Sequence, residues 1–156
     1  MAGWHPDCYQ RAVAYVTDPA GRLLVFEHLD VDAGTQVPGG GINEGEAPED
    51  AVLRELAEES GIASAVVVRK LGESWNRSEV GSVPAGLEEQ IQHAFHLRLS
   101  APGPHQQWVW EERSGGDVVG HRFGLRWVTL DEAEQVLWPS LAMWIDPVRV
   151  SLRHPS

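Results

Sequence analysis

The sequence predicts an α/β protein in which a mixed β-sheet is flanked by helices. Three observations carry this. Stretches with the two-residue apolar period of strands recur along the 156 residues. One strongly marked helix stands near residues 48–60. Strands and helices are mixed without the strict alternation of a parallel sheet.

Residues 12–17 read as a strand, Asp18-Pro19-Ala20-Gly21 as a turn, and 22–29 as a second strand, so 12–29 is an expected hairpin. Residues 30–45 hold Pro38-Gly39-Gly40-Gly41 and are expected to be a loop. Pro48 suits a first helical turn, Glu46, Glu49 and Asp50 complement its positive dipole end, and Gly61 suits its termination. Val52, Leu53 and Leu56 form the expected core stripe. Residues 65–71 then read as a buried strand. Ile91, Phe95, Leu97 and Leu99 alternate as in a half-buried one. The stretch 101–120, with Trp108 and Trp110, gives no defined element, and 126–130 reads as a further strand. Asp131 is the expected cap of a helix to about Leu137, and Ser140 that of a last one through Trp144.

The length suits a single domain over residues 1–156, and 42% hydrophobic residues suffice for a core. A formal charge of −11 argues against a nucleic-acid polymer or an anionic membrane as partner. Apolar runs such as 63–68 are too short to span a bilayer, and the N-terminal residues do not read as a signal peptide. The lone cysteine, Cys8, fits a reducing, cytoplasmic setting. A small phosphorylated substrate stays compatible with the acidity, because a divalent cation reverses the local sign.

The chemistry concentrates on the helix. Glu55, Glu58 and Glu59 are spaced by three and four residues and so project from one face, where like charges repel. Arg54 pairs with Glu58 at four residues, but one arginine cannot neutralise three carboxylates. A hard divalent cation with oxygen ligands can. The glycine segment before the helix delivers backbone to its start, as phosphate and metal sites often need.

The spacing from Gly40 through Glu46, Arg54-Glu55-Leu56, Glu58-Glu59 and Gly61-Ile62 resembles the signature box of the Nudix hydrolases at every fixed position. Val37-Pro38-Gly39 before it and the segment from Arg126 to Glu132 are similar to family members as well. The resemblance implies an α/β/α sandwich and metal-dependent cleavage of a phosphoanhydride bond in a nucleoside diphosphate derivative or triphosphate. It implies Glu58 and Glu59 as principal ligands of Mg2+ (Mn2+ as substitute), Glu55 as a further ligand or the group orienting water, and Gly40 as a backbone ligand. With Arg54, the three glutamates make up the candidate catalytic set, while Glu46 and Arg54 are expected to tie loop to helix. A monomer or homodimer acting on a small nucleotide-like molecule is expected. The alternative is a non-catalytic nucleotide-binding or regulatory module of the same fold.

One departure concerns the general base. Several members add a glutamate shortly before the late strand, where this chain holds Asp117, Gly120 and His121; Glu88, Glu89, Glu111 and Glu112 lie elsewhere. The segment Asn76-Arg77-Ser78-Glu79-Val80 lacks the proline or tyrosine that marks some substrate classes. His5 and Cys8 do not make a metal site by themselves, and His93 and His96, three apart on a strand, point to opposite faces. Trp127, Trp138 and Trp144 are expected in the core.

Overall fold

The structure is a computed structural model, described over residues 8–77, 89–103, 105–112 and 120–154. The chain runs β1 (Tyr9–Thr17), β2 (Leu23–His28), β3 (Thr35–Gln36), β4 (Gly39–Gly41), α1 (Pro48–Ser60), β5 (Val66–Arg77), β6 (Glu89–Arg98), β7 (Gln107–Glu112), β8 (His121–Val128), α2 (Leu130–Val136), α3 (Pro139–Ala142) and α4 (Ile145–Arg153). The strands form one sheet of order β5-β6-β1-β2-β8-β7, with β3 beside β2 and β4 beside β1. The sheet is mixed because β1 runs parallel to β6 while its other pairings are antiparallel.

Strand alternation divides the core in two. Ala12, Ala14, Val16, Phe95 and Leu97 face α1 with its Ala51, Val52 and Leu56. Val13, Tyr15, Val25 and Ala94 face Leu141, Trp144, Ile145 and Val148 of the C-terminal helices. Helices therefore cover both faces, as the α/β/α expectation requires. Burying a side chain such as Leu56 contributes about 1.5–3 kcal/mol, so each face is held largely by its apolar rows.

The hairpin at β1–β2 is present, its turn tied by Asp18 Oδ1 accepting from the backbone N–H groups of Ala20 and Arg22. Helix α1 starts at Pro48 and ends at Gly61 in the left-handed conformation (φ 79°). Other expectations are corrected. Residues 30–45 are not only loop: Gly39–Gly41 pairs with β1, opposite Ala12 and Val13. Leu53 is 37% exposed and Ala51 takes the core position, because the helix settles with its axis over β1 and β4. The strand at 65–71 is an edge strand that continues to Arg77, so Val66 lies half exposed. Thr129, not Asp131, caps α2, its side chain accepting from Glu132 N. Ser140 lies inside α3, and the longer α4 follows it. Trp127 and Trp144 are buried and Trp138 partly so. Asp117, Glu88, His5, Ser78, Glu79 and Val80 lie outside the described residues.

Candidate active site

The site is assembled where α1 crosses the glycine strand β4. Strand β4 is glycine for steric reasons. A Cβ on Gly39 would sit 2.7 Å from the Ala12 carbonyl oxygen, and one on Gly40 would sit 2.4 Å from the Glu55 carboxyl carbon. The absence of side chains thus lets the backbone of β4 lie directly against the helix glutamates.

Arg54 is the hub of the cluster. Its Nε and Nη2 donate to the two carboxylate oxygens of Glu46 at 2.9 Å each, a bidentate pair that joins the loop to the helix. Nη2 also donates to the Gly41 carbonyl (2.9 Å), and Nη1 to Glu55 (2.8 Å) and more distantly to Glu58 (3.4 Å). The Arg54 bonds hold the Glu46 carboxyl below its usual range and the guanidinium above its own.

Glu59 is treated differently. It is 8% exposed, and its Oε1 accepts one hydrogen bond, from Gly39 N–H at 2.7 Å. Among the described residues, no arginine, lysine or histidine forms an ion pair with it. Burial pushes its carboxyl well above the usual range; the charges of Glu55 and Glu112 add to this, and Gly39 N–H and Arg11 oppose it. Burial also raises Glu55, with Glu58 and Glu112 adding and Arg54 opposing.

The three glutamates expected to share one face differ in their surroundings. Glu55 and Glu59 are turned to β4, while Glu58 sits further out with Arg54. No three acidic, histidine or cysteine side chains among the described residues converge into a ready cation cage. The donor set nonetheless fits a hard cation. A buried carboxylate without a cationic partner, beside a second carboxylate and a bare glycine backbone, carries excess negative charge that a divalent ion with oxygen ligands relieves.

Strand β7 supplies what the sequence left undefined. Trp108 Nε1 donates to the Ser60 carbonyl (3.1 Å) and Trp110 Nε1 to the Glu58 carbonyl (2.9 Å), satisfying carbonyls at the end of α1. The Trp110 ring also lies against Gly61, where a Cβ would come within 2.6 Å. With a two-residue period, Glu112 shares the face of Trp108 and Trp110 and stands one step further toward the start of the helix. Its charge acts on both Glu55 and Glu59. The signal available in the sequence was the alternation Trp108, Trp110, Glu112.

A family model described as the NUDIX domain matches residues 9–147. The chain is 35% identical over 126 residues to an RNA pyrophosphohydrolase of Azorhizobium caulinodans, covering 76% of this chain and 72% of that one. It is 39% identical over 64 residues to the chloroplastic Nudix hydrolase 26 of Arabidopsis thaliana, a match covering 40% of this chain and 30% of that one. In fold it is similar to the E. coli dihydroneopterin triphosphate pyrophosphohydrolase (TM-score 0.66, 19% identity, 88% of this chain and 92% of that one). It is also similar to the C. elegans Ap4A hydrolase (TM-score 0.65, 15% identity, 93% and 98%).

Proposed function

Since the chain belongs to the Nudix hydrolase family, we propose that it is a magnesium-dependent pyrophosphohydrolase of small nucleoside triphosphates or nucleoside diphosphate derivatives, folded as one domain over residues 1–156. The observation that carries this reading is Glu59, a buried carboxylate with one N–H partner, set beside Glu55 and a glycine backbone. Such unmet charge is costly unless a ligand uses it.

Glu59, Glu55, Glu58 and the Gly40 backbone are the groups that would hold the cation. Magnesium, for which manganese could substitute, would supply charge neutralisation at the phosphates and a more acidic water. Glu55 and Glu112 are the carboxylates that orient the attacking water and accept its proton; burial raises the Glu55 carboxyl, the charges of Glu58 and Glu112 add to this, and proton uptake is thereby favoured. Arg54 keeps the loop and helix in register, and β7 fixes Glu112 through its two indoles.

The test is a phosphate-release screen with magnesium over nucleoside triphosphates, nucleotide sugars, ADP-ribose, dinucleoside polyphosphates and a 5′-triphosphate RNA oligonucleotide. The oligonucleotide is included because of the A. caulinodans relative's name. Its turnover is expected to trail that of the small substrates, since a −11 protein repels a polyanion. Full turnover in excess chelator overturns the metal-dependent reading. Tight nucleotide binding without hydrolysis of any substrate establishes the regulatory alternative instead.

A further inference from the structure

A polar strip crosses the sheet beside the glycine strand. Gly41 of β4 is the register partner of Arg11 in β1, Arg11 of Gln92 in β6, and Gln92 of Ser74 in β5. Residues paired in this way share a face, so Arg11, Gln92 and Ser74 line one row. Tyr9 and Gln90 occupy the next row on the same face, and the Tyr9 hydroxyl would be 2.9 Å from a Cβ on Gly41. On the other side of the strip the rows turn apolar, with Val13, Ala94 and the Trp144 ring lying against Gly72.

Two atoms in the strip are anomalous. Gln90 and Gln92 are 4% and 2% exposed, and the Oε1 of each is buried without a hydrogen-bond partner. A buried acceptor left unmet is destabilising, and here two stand on adjacent same-face positions of one strand. Both lie on the face of Gly41, Arg11 and Val13, across the sheet from α1, and the row reaches the glycine strand through Gly41. Arg11 stands between, its charge acting on the Glu59 carboxylate. Two strand spacings separate Gly41 from Gln92, roughly 10 Å, which is the reach of a nucleoside whose phosphates lie at Gly40.

We propose that Gln90 and Gln92 read the base of the nucleotide substrate, that Arg11 contacts the phosphate nearest the sugar, and that the preferred base is guanine. This rests on the nucleotide-hydrolase reading above. Guanine presents two adjacent N–H donors, from its ring nitrogen and its amino group, to two acceptor oxygens. Adenine and cytosine present one amino group at that edge, and uracil a single ring N–H. A site built to accept hydrogen bonds discriminates against bases that cannot donate them, because its oxygens then stay unpaired.

The experiment measures binding by calorimetry without metal, using GMP, AMP, CMP, UMP and ribose 5-phosphate on the full chain. The expected order is GMP first, UMP last among the nucleotides, and ribose 5-phosphate weakest. Gln92→Leu should reduce the preference for GMP over UMP by about tenfold, the equivalent of one or two buried hydrogen bonds. It should leave the melting temperature unchanged or higher, because it removes an unmet polar atom. A parallel kinetic series with GTP and UTP should place the change in KM rather than kcat. Equal binding of the four nucleotides overturns the proposal, as does a Gln92→Leu protein that melts lower while keeping the wild-type preference. The failure of the broader reading looks different: hydrolysis of none of the substrates with magnesium, whatever binds.

Discussion

His96 on β6 and Glu59 on α1 are both ionisable and both more than nine-tenths buried, yet among the described residues only His96 finds partners for its full hydrogen-bonding capacity. His96 Nε2 bonds Thr17 Oγ1 at 2.8 Å and Nδ1 bonds Ser151 Oγ at 2.6 Å, tying β6 to β1 and to α4. Its neighbour His93, on the opposite face, is likewise filled: Lys70 Nζ donates to Nδ1, and Nε2–H donates to Gln10 Oε1. Glu59 has one N–H and an adjacent carboxylate. A buried ionisable group that the chain satisfies serves the fold, whereas a carboxylate left short of partners beside a second carboxylate is suited to a cation. The comparison separates two reasons for burying charge-capable residues in one small sheet.

The sharpest way to break the comparison is Glu59→Gln. With magnesium, turnover should fall on the order of a hundredfold or more. Without metal the variant should melt a few degrees higher, since relief of an unpaired buried charge is worth about 1–3 kcal/mol. Lower metal-free stability with an unchanged rate would make Glu59 a structural residue like His96.

The converse variant, His96→Ala, should lower stability by about 2–4 kcal/mol through two lost hydrogen bonds and a cavity. Its kcat should stay near wild type, and urea unfolding beside initial rates measures both. A collapse in rate with intact stability would move His96 to the side of the active site.

The pH dependence of metal-free stability sharpens the contrast, because the two groups titrate in opposite senses. Burial, with the charges of Arg69 and Arg98, lowers the His96 pKa to about 4, against about 6.5 in an unfolded chain. The stability its neutral form confers is present above about 6.5 and is lost as pH falls toward 4, by up to about 3 kcal/mol. Glu59 has a raised folded pKa, so the contribution of its protonated form is complete below the unfolded carboxyl value and is lost as pH rises through the folded one. Denaturation curves from pH 4 to 9 in chelator should therefore flatten on the alkaline side for Glu59→Gln. They should flatten on the acid side for His96→Ala.

A smaller effect is expected at Arg54, whose partners are partly solvated. Arg54→Ala should cost about 1–2 kcal/mol by freeing Glu46 and the Gly41 carbonyl. The rate should fall with it, and magnesium should restore part of the melting temperature by neutralising the same carboxylates. Lost activity with unchanged melting would place Arg54 in the chemistry alone.

Much of the fold was legible because its signals are local. Pro48 and Gly61 bracket α1, the Asp18 to Gly21 turn sits between two apolar runs, and the alternation of Ile91, Phe95 and Leu97 marks β6. Each depends on residues within a few positions of one another. Gly39–Gly41 was not legible as a strand, because a glycine run has no side-chain period and its strand character comes from β1, nearly thirty residues earlier. The register of α1 likewise escaped: Leu53 and Ala51 are both plausible core positions until the helix has something to lie on.

The candidate site divides along the same line. The sequence by itself determined the family signature from Gly40 to Ile62 and the identity of the glutamates, since these are spacings along one helix and its preceding loop. Only the tertiary structure decided that Glu59 is buried with Gly39 N–H as its partner and, among the described residues, no ion pair, that Arg54 engages Glu46, Glu55 and Glu58 together, and that Glu112 faces the cluster from β7. Likewise, only the pairing of β4, β1 and β6 set Gln90 and Gln92 on the face that leads to the glycine strand. The physical reason is that burial and partnership are properties of what packs against a residue, and in this sheet the packing partners come from strands distant in sequence.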